Sequence, residues 1–223
     1  MLARPVGLPC ARRASSISTA LLNANPDGAR IVLTVGNLFA LHDGDNPHRW
    51  YDPAEVEVVA NTIAADLEKL EPSHDAYFEH QLHQFTTVGL ADYHALIAQI
   101  KARYAGVPVG ASESIFALQA PALGLDLVTP ASFMKAVSEG TEISAQDTIT
   151  GQRQITSHEI KVWIYNSQNA TPEIQQLNAL ACRNHVPIAT VAETLSPQTD
   201  TFEQCQVAQL KGIERALSQA TGR

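Results

Sequence analysis

Asn46-Pro47-His48-Arg49-Trp50-Tyr51-Asp52-Pro53 holds a histidine in a stiff loop that runs straight into a helix. Pro47 and Pro53 fix φ at about −65° and restrict the residues before them, so His48 is bracketed by pre-ordered backbone. Such a loop can aim an imidazole with little entropy left to lose when a ligand arrives. Asp52 suits the N-cap, Pro53 the first helical position, and Glu55 stands three residues after the cap in a capping-box arrangement. A helix is therefore expected to start at Pro53.

Upstream of the loop, Ile31-Val32-Leu33-Thr34-Val35 followed by Gly36 reads as a short apolar strand that feeds it. Downstream, Val56, Val59, Ile63, Leu67 and Leu70 recur every three or four residues, which predicts an amphipathic helix ending at Glu71-Pro72. Ser73 caps a second helix expected to reach Tyr104, with Phe78, Leu82, Phe85, Tyr93, Leu96, Ile97 and Ile100 as its apolar stripe and Gly89 as its weak point. At about 1.5 Å per residue this is a rod of roughly 45 Å.

A regular alternation follows. Val107 to Val109, Leu125 to Val128, Ile160 to Tyr165 and Pro187 to Val191 read as strands. Helices are expected over 114–123, through Phe133 and Ile155, over 172–183 and over 200–218. Strands separated by helices predict a parallel, doubly wound α/β sheet. Ligands of such sheets bind outside the carboxyl ends of the strands. Glu113, in Gly110-Ala111-Ser112-Glu113-Ser114, and Glu193, in Val191-Ala192-Glu193-Thr194-Leu195, fall there, with Asn166 as a third polar group on the same edge.

Composition narrows the class. The 223 residues, 45% hydrophobic and 17% charged, are enough for a real core in one or two domains. A net charge of −8 without a basic patch disfavours nucleic acid and anionic membrane as partners. Cys10, Cys182 and Cys205 lack any C-x-x-C pairing, so neither a disulfide framework nor a thiolate zinc site is indicated. No run approaches the roughly 20 apolar residues of a membrane span. The first 25 residues lack the apolar core of a secretory signal, and Gly7-Leu8-Pro9-Cys10 matches a lipoprotein cleavage site poorly.

From about Ile31 to its C-terminus the chain resembles the solute-binding proteins of zinc and manganese ABC importers, the cluster A-I or cluster 9 family. Asn46 to Pro53 is similar to the family's N-P-H-x-W-x-D-P element, and Ser112-Glu113-Ser114-Ile115-Phe116 through Leu123-Gly124-Leu125 to its second ligand element, with Glu113 where histidine is common. Glu193 ahead of Thr194-Leu195 matches the acid after the last strand. The resemblance implies His48, Glu113 and Glu193 as metal ligands, three of the four expected, with Asn166 a poor ligand candidate. It implies a two-lobed α/β fold in which a long helix connects a truncated first lobe to a complete, doubly wound second lobe. The expected division is a leader over 1–25, a remnant of the first lobe over 26–72, the connecting helix over 73–104 and the second lobe over 105–223. It further implies a monomer that captures Zn²⁺ or Mn²⁺ outside the cytoplasm and delivers it to a membrane permease, with no catalytic residue and no resident cofactor.

An imidazole with carboxylates suits either ion, and oxygen-rich donor sets shift the balance toward manganese. Two facing carboxylates repel one another in a dry site, so a cation between Glu113 and Glu193 is physically sensible. Two other readings compete. A metal-dependent hydrolase would use the same residue types, but its usual H-E-x-x-H helix is absent, and His80 and His83 read as part of a solvated face. A non-transport scavenger or adhesin-like relative would share the metal site and differ in its partner. No G-x-S-x-G, G-x-G-x-x-G or Walker sequence occurs.

Overall fold

The computed structural model describes residues 18–223. The expected leader over 1–25 lies outside the described residues as far as residue 17, and residues 18–24 form a mostly exposed helical segment. The strand expected over Ile31–Val35 does not form. Residues 31–34 are irregular and Val35–Leu38 is a single helical turn. A strand persists only where its N–H and C=O groups find a neighbour, and the four strands of the sheet pair only among themselves. Ile31 and Val32 stay exposed.

Helix α1 spans Pro53–Leu70, and the Asp52 carboxylate accepts the Ala54 and Glu55 N–H groups as its cap. The reciprocal half of the capping box is missing, because the Glu55 carboxylate pairs with the Arg49 guanidinium instead. The single rod expected to follow is broken into α2 (Asp75–Gln84), a π-helical turn (Phe85–Gly89) and α3 (Ala91–Tyr104). The wide turn has a local cause. Thr86 and Thr87 donate their hydroxyls to the Leu82 and His83 carbonyls at 2.9 and 2.7 Å, which competes with the regular ladder. It closes at Gly89, the expected weak point.

The sheet comprises β1 (Pro108–Ala111), β2 (Asp126–Leu127), β3 (Val162–Asn166) and β4 (Ile188–Val191), all parallel, in the order β2-β1-β3-β4. Between them run α4 (Ala131–Glu139), α5 (Ala145–Thr156) and α6 (Pro172–Arg183), and α7 (Phe202–Thr221) closes the chain. The helix expected over 114–123 shrinks to a 3₁₀ turn at Ser114–Leu118. Pro121 cannot donate to a ladder, and Gly124 adopts a left-handed φ of +66° that ends the segment. Val162, Trp163 and Ile164 are consecutive and fully buried; since successive strand residues face opposite sides, both faces of the sheet are covered. Gly110 is what lets β1 lie against this layer. A Cβ there would come within 2.8 Å of Ile160 and 2.9 Å of Trp163. Among the described residues no helix is long and apolar enough to cross a membrane.

Candidate metal centre

The strand order reverses between β1 and β3, and the carboxyl ends of strands at such a switch point are where ligands of open α/β sheets bind. Glu113 follows β1, Asn166 ends β3, and Glu193 follows β4. His48 arrives from the other side on its proline-bracketed loop and caps a 3₁₀ turn at Arg49–Tyr51. The structure brings His48, Glu113 and Glu193 together: one potential ligand atom from each lies within 4.8 Å of the others. His80 and His83 stand exposed on α2, outside this cluster.

Each arm is held by its own hydrogen bonds. The buried Glu113 carboxylate accepts from Asn166 Nδ2 at 3.1 Å and Asn169 Nδ2 at 2.7 Å. Asn166 presents its nitrogen because its Oδ1 is taken by the Gln168 N–H at 2.9 Å. His48 Nε2 lies 3.2 Å from Glu193 Oε1, and its Nδ1 lies 2.8 Å from Asn46 Oδ1. Around Glu193, the Gln168 side chain bonds the Thr194 hydroxyl and N–H, both at 2.9 Å. Tyr51 anchors the histidine loop to the same segment. Its buried hydroxyl lies 2.9 Å from the Ala192 carbonyl and accepts the Ala192 N–H at 3.1 Å. Burial pushes the Tyr51 phenol far above its ordinary range, so it remains a neutral bridge.

The two acids are not equivalent. Desolvation raises the Glu113 pKa, the Asn166 and Asn169 amides and His48 oppose the rise, and the Glu193 charge adds to it. Glu193 is lowered, mainly by its hydrogen bond with His48 and against partial burial. A cation at the centre relieves both the dehydration of Glu113 and the repulsion between the carboxylates. Chemically the cluster is a set of one nitrogen and two carboxylate donors converging on a point, which is what a divalent ion requires.

Sequence reasoning placed Asn166 on the right edge but did not foresee that it orients Glu113, and it missed Asn169 and the bridging role of Tyr51. Asn46 carried a signal that could have been followed. Its Oδ1 accepts the His48 N–H two residues on, at 3.1 Å, an Asx turn of the kind Asn-Pro sequences favour.

Comparison with known proteins bears on the family and the fold. The family model described as zinc-uptake complex component A, periplasmic (ZnuA), matches residues 14–216. No curated protein matches the chain. Among solved structures, a cadmium-bound periplasmic metal-binding protein from Candidatus Liberibacter asiaticus superposes with a TM-score of 0.68 at 16% identity, covering 90% of this chain and 76% of that one. A manganese-bound mutant from the same organism gives a TM-score of 0.61 at 19% identity over 77% of this chain and 63% of that one. FpvC from Pseudomonas aeruginosa, described as a solute-binding protein in complex with Mn²⁺, gives 0.59 at 16% identity over 78% and 62%. The chain thus has the solute-binding-protein fold, and spans 62% and 63% of the length of two of these structures and 76% of the third.

Proposed function

Because the chain belongs to the periplasmic zinc-uptake component A (ZnuA) family, we propose that it captures a divalent transition metal ion outside the cytoplasm and hands it to the membrane permease of an ABC importer. The ligands in this reading are His48, Glu113 and Glu193. The observation that carries it is their convergence, within 4.8 Å, at the switch point of the sheet. Solved structures of the same fold are described as bound to manganese and to cadmium, which fits a divalent cargo. The two carboxylates of the donor set accept Mn²⁺ readily, and the imidazole keeps Zn²⁺ in contention.

In the same reading, residues 73–104 are the connecting helical segment and 105–223 the second lobe, with 26–72 belonging to the first. Capture and release then need a site that binds without performing chemistry on its cargo. Chelator competition with Zn²⁺ and Mn²⁺ tests the proposal. One-to-one binding should weaken by at least about 100-fold in His48→Ala, Glu113→Ala and Glu193→Ala, exceeding the roughly 10–100-fold typical of groups that only support a ligand. Tight binding indifferent to all three substitutions would refute the ligand set. Metal-dependent association with a cognate permease in reconstituted membranes tests the delivery step.

A further inference from the structure

We propose that the turn over residues 166–169 is the selectivity element of the metal centre, in which Gln168 is the positioning residue that fixes Glu193 relative to Glu113. This deepens, and rests on, the reading of those two acids as ligands. The turn leaves the carboxyl end of β3, and the Asn169 N–H returns to the Asn166 carbonyl at 3.2 Å. The Asn166 side chain tightens it, since its Oδ1 accepts the Gln168 N–H at 2.9 Å.

From this short piece of chain, side chains reach to both acids. Toward β1, Asn166 and Asn169 donate to different oxygens of the Glu113 carboxylate, Oε1 at 3.1 Å and Oε2 at 2.7 Å. Contacts on both oxygens fix the plane of the carboxylate as well as its position. Toward β4, Ser167 donates its N–H and its hydroxyl to the Val191 carbonyl at 3.0 and 3.3 Å. Gln168 reaches further. The Thr194 N–H only donates, so the Gln168 atom 2.9 Å from it is Oε1, and Nε2 then donates to the Thr194 hydroxyl at 2.9 Å. This closed, two-point contact holds the residue that follows Glu193. Gln168 and Thr194 are both exposed, and their contact acts on the acid through the chain.

Spacing between the acids bears on which ion they hold. Two oxygens on one ion stand no farther apart than twice their bond length, which for Zn²⁺ and carboxylate is about 4.0–4.4 Å. A larger ion such as Mn²⁺ raises that ceiling. Acids free to move close on whichever ion arrives, and affinity then follows the intrinsic order, in which Zn²⁺ outranks Mn²⁺. Acids held on one bracket cannot follow the ion, and the site keeps a preference shifted from that order toward Mn²⁺.

Chelator competition of the full chain with Mn²⁺ and Zn²⁺ tests this through the ratio of the two affinities. Gln168→Ala removes both contacts to Thr194 at an exposed position that the fold tolerates. It should lower Mn²⁺ affinity by about 10-fold more than Zn²⁺ affinity, the lower end of the effect that partners outside the ligand set carry. Thr194→Val, which loses only the hydroxyl, should move the ratio the same way by less, and Thr194→Ser, which keeps both bonding groups, should restore it. The double variant Gln168→Ala/Thr194→Val should go no further than Gln168→Ala alone, because the two side chains act as one unit. A turn that merely stabilises its loop would weaken both ions alike. A ratio that is unchanged or moves the other way in Gln168→Ala overturns the proposal, as does a Thr194→Ser variant that shifts it as far as Thr194→Val, or a double variant that goes further than Gln168→Ala. If the unaltered chain binds neither ion, or binds both indifferently to Glu113→Ala and Glu193→Ala, the ligand reading fails and takes the proposal with it. Binding that those two substitutions weaken, with a ratio unmoved by Gln168→Ala, refutes the proposal alone.

Discussion

Removing one oxygen atom, in Tyr51→Phe, tests whether the histidine loop is held to the rest of the site as described. The Tyr51 side chain is fully buried. Its hydroxyl has one hydrogen, shared between the Ala192 carbonyl at 2.9 Å and Gln209 Oε1 at 2.5 Å, and it accepts the Ala192 N–H at 3.1 Å. After the change, Ala192 N–H still reaches Gln209 Oε1 at 3.1 Å, so that donor and that acceptor satisfy one another. The Ala192 carbonyl loses its tyrosine partner at a buried residue, 7% exposed. One buried unsatisfied carbonyl costs about 1–3 kcal/mol, and the apolar ring stays packed, so no further cavity penalty is due. Urea unfolding of the metal-free chain should therefore lose about 1–3 kcal/mol with an unchanged m-value. Tyr77→Phe, at a side chain 59% exposed, serves as the control and should stay within about 0.5 kcal/mol of wild type. A Tyr51→Phe variant as stable as that control would refute the account of this bridge. Since Ala192 precedes Glu193, the same variant should also bind metal more weakly.

Further expectations concern the core, the helix start and pH. Gly110→Ala drives a Cβ to 2.8 and 2.9 Å from Ile160 and Trp163, so thermal melts should show overpacking of about 1–3 kcal/mol. Asp52→Ala removes the cap of α1 and should cost about 0.5–2 kcal/mol by the same measurement. Metal affinity should fall as pH drops, and the fall should begin above the ordinary carboxylate range, because binding needs Glu113 ionised and its pKa is raised by burial. In the metal-free protein that raised pKa has the opposite sign for stability. The folded state holds the proton more tightly than the unfolded chain, so the contribution of Glu113 is greatest at low pH and is lost as pH rises through its folded value. Glu193, lowered, contributes stability above its unfolded value that is lost as pH falls through its folded one. Thermal melts against pH, with and without saturating Mn²⁺, separate these contributions.

The sequence yielded those elements whose signals are local. Asp52-Pro53 marked the start of α1 because capping is settled by adjacent residues. Pro172–Arg183 is helical over the expected span because a threonine cap and a proline open it. The strand at Ile31–Val35 was misread because β-branched residues state only a preference, whereas a strand requires a partner that the run itself does not specify. The π turn at Phe85–Gly89 was missed because the apolar stripe of a 3.6-residue helix continues across it, and the cause lies in threonine hydroxyls that point back at the ladder. Of the candidate site, His48, Glu113 and Glu193, which the structure brings together, stood out in the sequence through their resemblance to known ligand elements. The roles of Asn166 and Asn169 in holding Glu113 were not legible, because an amide carries no charge or spacing that separates a buried positioning role from a loop residue.

These ties determine where the free energy of binding is spent in the proposed role. Asn46 to Ser114, Tyr51 to Ala192, Ser167 to Val191 and Gln168 to Thr194 link the segments that carry the three candidate ligands. The candidate donor atoms stand within 4.8 Å of one another. The protein's own hydrogen bonds hold these loops, so little of the binding energy is needed to order them. What a cation would relieve is electrostatic: a dehydrated Glu113, a second acid facing it, and a histidine whose Nε2 meets Glu193. A divalent ion relieves all three at once, while a proton on Nε2 relieves only the Glu193 side. Competition at this centre is therefore between metal and proton. Replacing Glu113 by glutamine should flatten the pH dependence of Mn²⁺ affinity at its acidic end as well as lower the affinity, measured by chelator competition across pH. A Glu113→Gln variant with an unchanged pH profile would locate the controlling proton elsewhere.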